Sequence, residues 1–269
     1  REEIKDAIAS LAIRGDHETV QRLSNLMQRA DAVEGARIAA CATLPRVCER
    51  GHAVAVEALI ANMTGPNTDS IRAASASAVS ELASKGDRKA VAAALSGLRS
   101  TDWNLRLSSV MVLGSVCERG DRVAAAASLA STADADARVR SGAVWVLGAV
   151  ASKGDGASVA KMLQVVQNDT DPDVRLSAVT ALPSLTAPHL LGKLDVREIS
   201  RVLVACSSDP DAGIRQAAEA AHTQLCSGPG RAASNILFPA EKGGGEAGPA
   251  SPPKPPAVHC AMPSSQVTE

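Results

Sequence analysis

One pattern recurs along most of this chain and restricts what it can fold into. Ile71 to Asp87 reads IRAASASAVSELASKGD, Leu105 to Asp121 reads LRLSSVMVLGSVCERGD, and Val139 to Asp155 reads VRSGAVWVLGAVASKGD. Ala36 to His52 (ARIAACATLPRVCERGH) is a fourth copy, and Val174 to Leu185 (VRLSAVTALPSL) and Ile214 to Cys226 (IRQAAEAAHTQLC) keep its first part. Gly15, Gly51, Gly86, Gly120 and Gly154 close successive units at spacings of 36, 35, 34 and 34 residues. A period of this length belongs to arrays in which each unit buries its apolar face only against its neighbours.

Each unit reads as two helices. With the Arg of the "VR" pair as position zero, apolar or small residues fall at −1, +3, +4, +7 and +10. In one copy these are Val139, Ala143, Val144, Leu147 and Val150. That spacing gives a helix with one buried face; we term it helix B. A second amphipathic stretch, helix A, precedes each B. These stretches are Thr19 to Met27, Val54 to Met63, Lys89 to Leu98, Val123 to Leu129, Ser158 to Val166 and Val196 to Cys206.

The joints between units repeat as well. Lys or Arg, then Gly, then Asp or His recurs at 14–16, 50–52, 85–87, 119–121 and 153–155. The cation suits the C-terminal end of helix B. The Gly suits a left-handed C′ position that ends it, and the Asp suits the N-cap of the next helix A. Two joints spell Arg-Gly-Asp, at Arg14–Asp16 and Arg119–Asp121, and the same capping logic accounts for both. Pro45 and Pro183 share one position in helix B and predict kinks there.

Composition agrees with thin helical layers. The chain of 269 residues has two Trp, one Phe and no Tyr, so large aromatic space-fillers are almost missing. A net charge of −1 lacks the basic excess of nucleic-acid binders. No apolar run reaches the roughly 18 residues of a membrane span, and no signal peptide is visible, so the expected location is cytoplasmic. The six cysteines include no CxxC pair, which argues for small buried thiols rather than a zinc site.

These features resemble HEAT repeats. The resemblance rests on two antiparallel helices per unit, a period near 35 and an Asp-x5-Arg spacing at Asp31/Arg37, Asp134/Arg140, Asp169/Arg175 and Asp209/Arg215. It covers roughly residues 1–227, and the short Ala-rich units are similar to the lyase-like HEAT subgroup. It implies that these Asp and Arg residues bond between neighbouring units as a structural ladder. Pro66 and Ser100 stand where two of the Asp residues are expected, with Asp69 and Asp102 as local substitutes. The expected fold is all-α: a right-handed α-solenoid of HEAT-like helix pairs with a disordered C-terminal tail.

That expectation divides the chain into a repeat array, 1–227, and a Gly/Pro/Ser-rich tail, 228–269. The array is a lone helix B, Glu2 to Ile13, followed by about six A–B pairs stacked over about 60 Å. The unpartnered first helix predicts that the chain is a fragment of a longer one. The last helix B carries Gln216, Glu219, His222 and Gln224, a polar face suited to a terminal cap. Between Arg175 and Arg215 the spacing lengthens to 40, which places an insertion at Thr186 to Lys193. The tail holds a Pro-Pro-Lys-Pro-Pro run at 252–256 and one apolar cluster, Ile236-Leu237-Phe238-Pro239.

No catalytic constellation is visible. The HEAT-type di-iron hydroxylase uses several His-Glu pairs; here there is one, His17-Glu18. HEAT-like glycosylases use basic and aromatic residues on their concave face, and this chain lacks the aromatics and the charge excess. No cofactor or metal is therefore expected, and the expected role is a non-enzymatic protein-binding scaffold or adaptor. A bilin-lyase-like or chaperone-type HEAT protein acting on a tetrapyrrole-binding protein is the alternative. The open face of helix B, at +1, +5 and +9, would bring Leu107, Met111, Trp145 and Leu176 into an apolar partner-binding patch. Tight curvature would instead bury these residues between neighbouring B helices.

Overall fold

Asp residues at the joints and a 3.6-residue apolar period delimit the helices of a computed structural model that describes residues 16–186 and 196–226. Its twelve α-helices form six A–B pairs, with no strand among the described residues. The A helices are α1 (His17–Gln28), α3 (Ala53–Thr64), α5 (Arg88–Gly97), α7 (Arg122–Ser131), α9 (Gly156–Asn168) and α11 (Val196–Ala205). The B helices are α2 (Glu34–Val47), α4 (Asp69–Leu82), α6 (Trp103–Val116), α8 (Ala137–Val150), α10 (Pro172–Ala181) and α12 (Ala212–Cys226). Each B helix packs on the B helices before and after it, and each A helix packs on its own B. The chain is an α-solenoid. The expected lone helix at Glu2–Ile13, most of the insertion and the tail lie outside the described residues.

The apolar register sets which face is buried. In α8, Val139, Ala143, Val144, Leu147 and Val150 are all within 1% of full burial. The same positions in α6 are Leu105, Ser109, Val110, Leu113 and Val116, again buried. The Ser109 hydroxyl, out of reach of water, donates to the Leu105 carbonyl at 2.6 Å. The largest fully buried side chains are Leu, Ile and Met. Helices can therefore approach closely, and small residues sit where they touch.

Caps start the A helices as the joints suggest. Asp16, Asp87, Asp121 and Asp155 accept hydrogen bonds from amides of the first turn, and His52 does so through Nδ1. The joint glycines differ from the expected C′ role. Gly51, Gly86, Gly120 and Gly154 have φ between 78° and 94°, in the left-handed region open to glycine, but each lies beyond the end of its own helix. Their amides donate forward, to the Leu82, Val116, Val150 and Leu185 carbonyls of the next unit, at 2.7–2.8 Å. The joint cations also act on the next unit. Arg50 Nε donates to the Ala83 carbonyl at 2.8 Å, Lys85 to Cys117 at 2.7 Å, and Arg119 to Ala151 and Gly148 at 2.9 Å. The orphan carbonyls at the end of each of these B helices are thus met by the preceding joint, which locks the two units together.

The prolines also resolve differently from each other. α2 runs through Pro45 and ends at Val47. At Pro183 the α-helical part stops at Ala181 and a 3-10 turn, Leu182–Ser184, completes the element.

Candidate functional site

Two arrangements sit on this frame: a polar ladder along the A–B turns and an apolar stripe along the B helices. In the ladder, each Arg forks onto the Asp one unit ahead. Arg106 Nε and Nη2 lie 2.7 Å from the two Asp134 carboxylate oxygens, Arg140 lies 2.8 Å from those of Asp169, and Arg175 lies 3.2 Å from those of Asp209. The remaining guanidinium nitrogen, Nη1, turns back to its own unit and donates to the carbonyl of Ser100, Asp134 or Asp169. Asp134, Asp169 and Asp209 also accept the amide two residues on. Burial pushes these three carboxyls up, but the guanidinium and amide bonds outweigh it and hold each below the usual range.

The ends of the ladder depart from the expected pattern. Asp31 pairs with Arg29 at the surface rather than with an Arg of another unit. Arg37 finds Asn67, whose Oδ1 accepts at 2.6 Å, because Pro66 leaves the usual position without a carboxylate. Arg72 bonds the Met63 carbonyl and Asp69. Ser100 takes over the local half of an Asp, since its hydroxyl accepts the Asp102 amide at 3.1 Å. Asp102 caps α6 instead. Arg215 donates to the carbonyls of Asp209 and Pro210.

On the B-helix face, Leu107 is 6% exposed, while Met111, Trp145 and Leu176 are half-buried. Both readings of the stripe therefore hold in part. Leu107 fills the space over Gly142, where a Cβ would stand 2.6 Å from its Cδ1. Met111 borders the same glycine, and Leu176 lies over Gly213. The Trp145 ring rests on Gly114 of the preceding unit, 3.5 Å from where a Cβ would be. Each large side chain thus leans on a neighbouring helix that offers a glycine, and its remaining surface faces outward. Ser141 and Ser177 flank the stripe, with their hydroxyls 2.7 Å apart.

Sequence reasoning missed two features. Arg138, one unit on, lies over the Trp103 ring, its guanidinium carbon 3.2 Å from the centroid, a cation–π contact at the N-terminal rim of the B face. The pairing needs two units in register, and neither residue announces it alone. The second is in the last pair: His222 Nε2 lies 2.8 Å from the Ser200 hydroxyl, at a position where Leu113 and Leu147 fill the core of earlier units. Of the described cysteines, Cys41, Cys48, Cys117 and Cys206 are buried and Cys226 is exposed. Among the described residues no group of three or more His, Cys, Asp or Glu could hold a metal ion. No described helix is long and apolar enough to cross a membrane.

A family model for HEAT repeats matches residues 91–183 and 128–223. A search of curated proteins finds no match. Among solved structures, the chain is similar to a designed armadillo repeat protein in complex with peptide (KR)4, at 13% identity and a TM-score of 0.58, over 77% of this chain and 99% of that one. It is similar to an archaeal HEAT-like repeats protein from Thermococcus onnurineus NA1, at 15% identity and a TM-score of 0.51, over 82% and 96% of the two chains. A third likeness is to the karyopherin Kap121p bound to the SUMO protease Ulp1p, at 14% identity and a TM-score of 0.56, over 78% of this chain and 25% of that one. At these identities the likeness concerns the fold.

Proposed function

Because the chain is a HEAT-repeat protein of the armadillo type, we propose that it is a non-enzymatic scaffold that binds a protein partner along its B-helix face. Trp145 is the observation that carries this reading. Its ring is braced on Gly114 and half-buried, so little side-chain freedom remains to be lost on binding. Aromatic anchors set in a shallow apolar surround dominate many interfaces. Met111 and Leu176 extend the surround over neighbouring units, and Leu107 supports it from beneath. Solved proteins of the same fold hold a (KR)4 peptide and a SUMO protease, which supports a binding role for such a surface without identifying this partner.

The test is affinity capture from a lysate of the source cell with the full chain, beside a Trp145→Ala, Met111→Gln variant of equal helicity. Proteins retained by the first and reduced at least tenfold by the second place the partner on the B face. Equal retention by both would sink the assignment.

A further inference from the structure

The A layer is packed unevenly. α1 packs on α3 and α3 on α5, whereas α5 and α7, α7 and α9, and α9 and α11 touch only slightly. α7 reads RVAAAASLAS, and α9 presents Ala157 and Ala160 to the same space. This space is an open groove of about 700 Å³, lined by Ala126, Leu129 and Ala130 of α7 and Ala157, Ala160 and Lys161 of α9.

We propose that this groove is the docking site of the chain's own segment Ile236-Leu237-Phe238. These are the one apolar cluster among residues 227–269 and include the single Phe of the chain. Ile236 lies ten positions beyond Cys226, the last residue of α12. Ten residues span at most about 33–36 Å. Helices lie about 8–10 Å apart, so the path from the end of α12 crosses one layer and about one and a half units. That distance is on the order of 20 Å at such spacings, within reach without full extension. α12 also ends at the edge of the stack where the A helices begin. Closing a loop this short has a small entropic penalty, and the tether holds the segment near the groove at a concentration on the order of millimolar. Docking there would cover the alanines that α7 and α9 leave open. It would brace the A layer across the fourth and fifth pairs and leave the B face free, so it stands independently of the partner-binding proposal.

The experiment uses the full chain with Phe238→p-benzoylphenylalanine, irradiated at low micromolar concentration and mapped by peptide mass spectrometry. Docking gives adducts within one chain, concentrated in peptides that contain Ala126–Ala130 or Ala157–Gln164. A second variant adds Ala130→Glu, which places a charge in the groove at an exposed position; with helicity unchanged, those adducts should fall at least tenfold. Adducts on the B face, between two chains or only within the tail would overturn the proposal, as would adducts insensitive to Ala130→Glu.

Discussion

A Cβ added at Gly148 would stand 2.9 Å from the Ala181 Cβ, 3.0 Å from the Ser184 Oγ and 3.4 Å from the Ala181 carbonyl oxygen. None of these atoms lies at the end of a long flexible chain, so α8 and α10 would have to separate. Gly148→Ala should therefore destabilise the protein by about 1–3 kcal/mol. Gly156 has open space around it, and Gly156→Ala should be neutral or stabilise by up to about 1 kcal/mol; urea unfolding of the two variants checks the contrast. The thiols make a second residue-scale prediction. Burial pushes Cys48 up to about 11, and burial with nearby Asp121 does the same for Cys117. The thiolate is the reactive form. At pH 8, iodoacetamide should label Cys226 in the native protein well before Cys48 and Cys117, and unfolding in urea should abolish the difference. Peptide mass spectrometry at timed intervals reads this directly.

Between elements, the bonds run from one unit to the next. Asp169 receives both Arg140 nitrogens and the Asp171 amide with only 9% of its side chain exposed. Asp169→Ala should cost about 1–3 kcal/mol by leaving those donors short of a partner. Asp31→Ala, which loses an exposed pair, should leave the unfolding midpoint unchanged. The Asp169 carboxyl is depressed in the folded chain, so its stabilisation is present above an unfolded pKa of about 3.9 and is lost as pH falls through the lower native value. The stability gap between wild type and Asp169→Ala should be the same at pH 7 and pH 5 and narrow below about pH 4. Helix positions were legible in the sequence because burial repeats with the 3.6-residue period, which a single chain displays. The direction of the joints was not. Gly120 reads locally as the end of its own helix, yet its amide serves Val150, thirty residues on. The Asp-x5-Arg spacing has the same character. It marks two residues of one unit, whereas the forks join Arg140 to the Asp of the next. The stripe on the B face was legible as a row of residues, but its depth was not. Glycines on adjacent helices decide that Leu107 is covered and Trp145 only leans.

At the scale of the molecule, contacts between adjacent units dominate the long-range ones in a solenoid, so its stability is approximately a sum of unit and interface contributions. The buried side chains form two core clusters that meet within α8: Val139 and Val146 belong to the first, Val144 and Leu147 to the second. The boundary between them runs through α8, and the α8–α10 contact lies inside the second cluster. The A layer gives little help there, since α7 and α9 stand apart over the open groove. The last described pair is weaker still. Among the described residues, α12 packs on α10 alone of the other B helices, Arg215 bonds only carbonyls of its own unit, and Glu219 stands where Val110, Val144 and Val179 are buried in earlier units. Local unfolding should then proceed inward from this end, with opening free energies rising from α12 toward α6. Hydrogen exchange read by mass spectrometry should show α11 and α12 exchanging first, α9 and α10 next, and α4 and α6 last. Gly148→Ala strains the α8–α10 contact without touching the N-terminal cluster. It should accelerate exchange in α9–α12 while leaving α4 and α6 within about twofold of wild type, as nearest-neighbour coupling requires. Uniform acceleration along the whole chain would show instead that the six pairs unfold as one cooperative body.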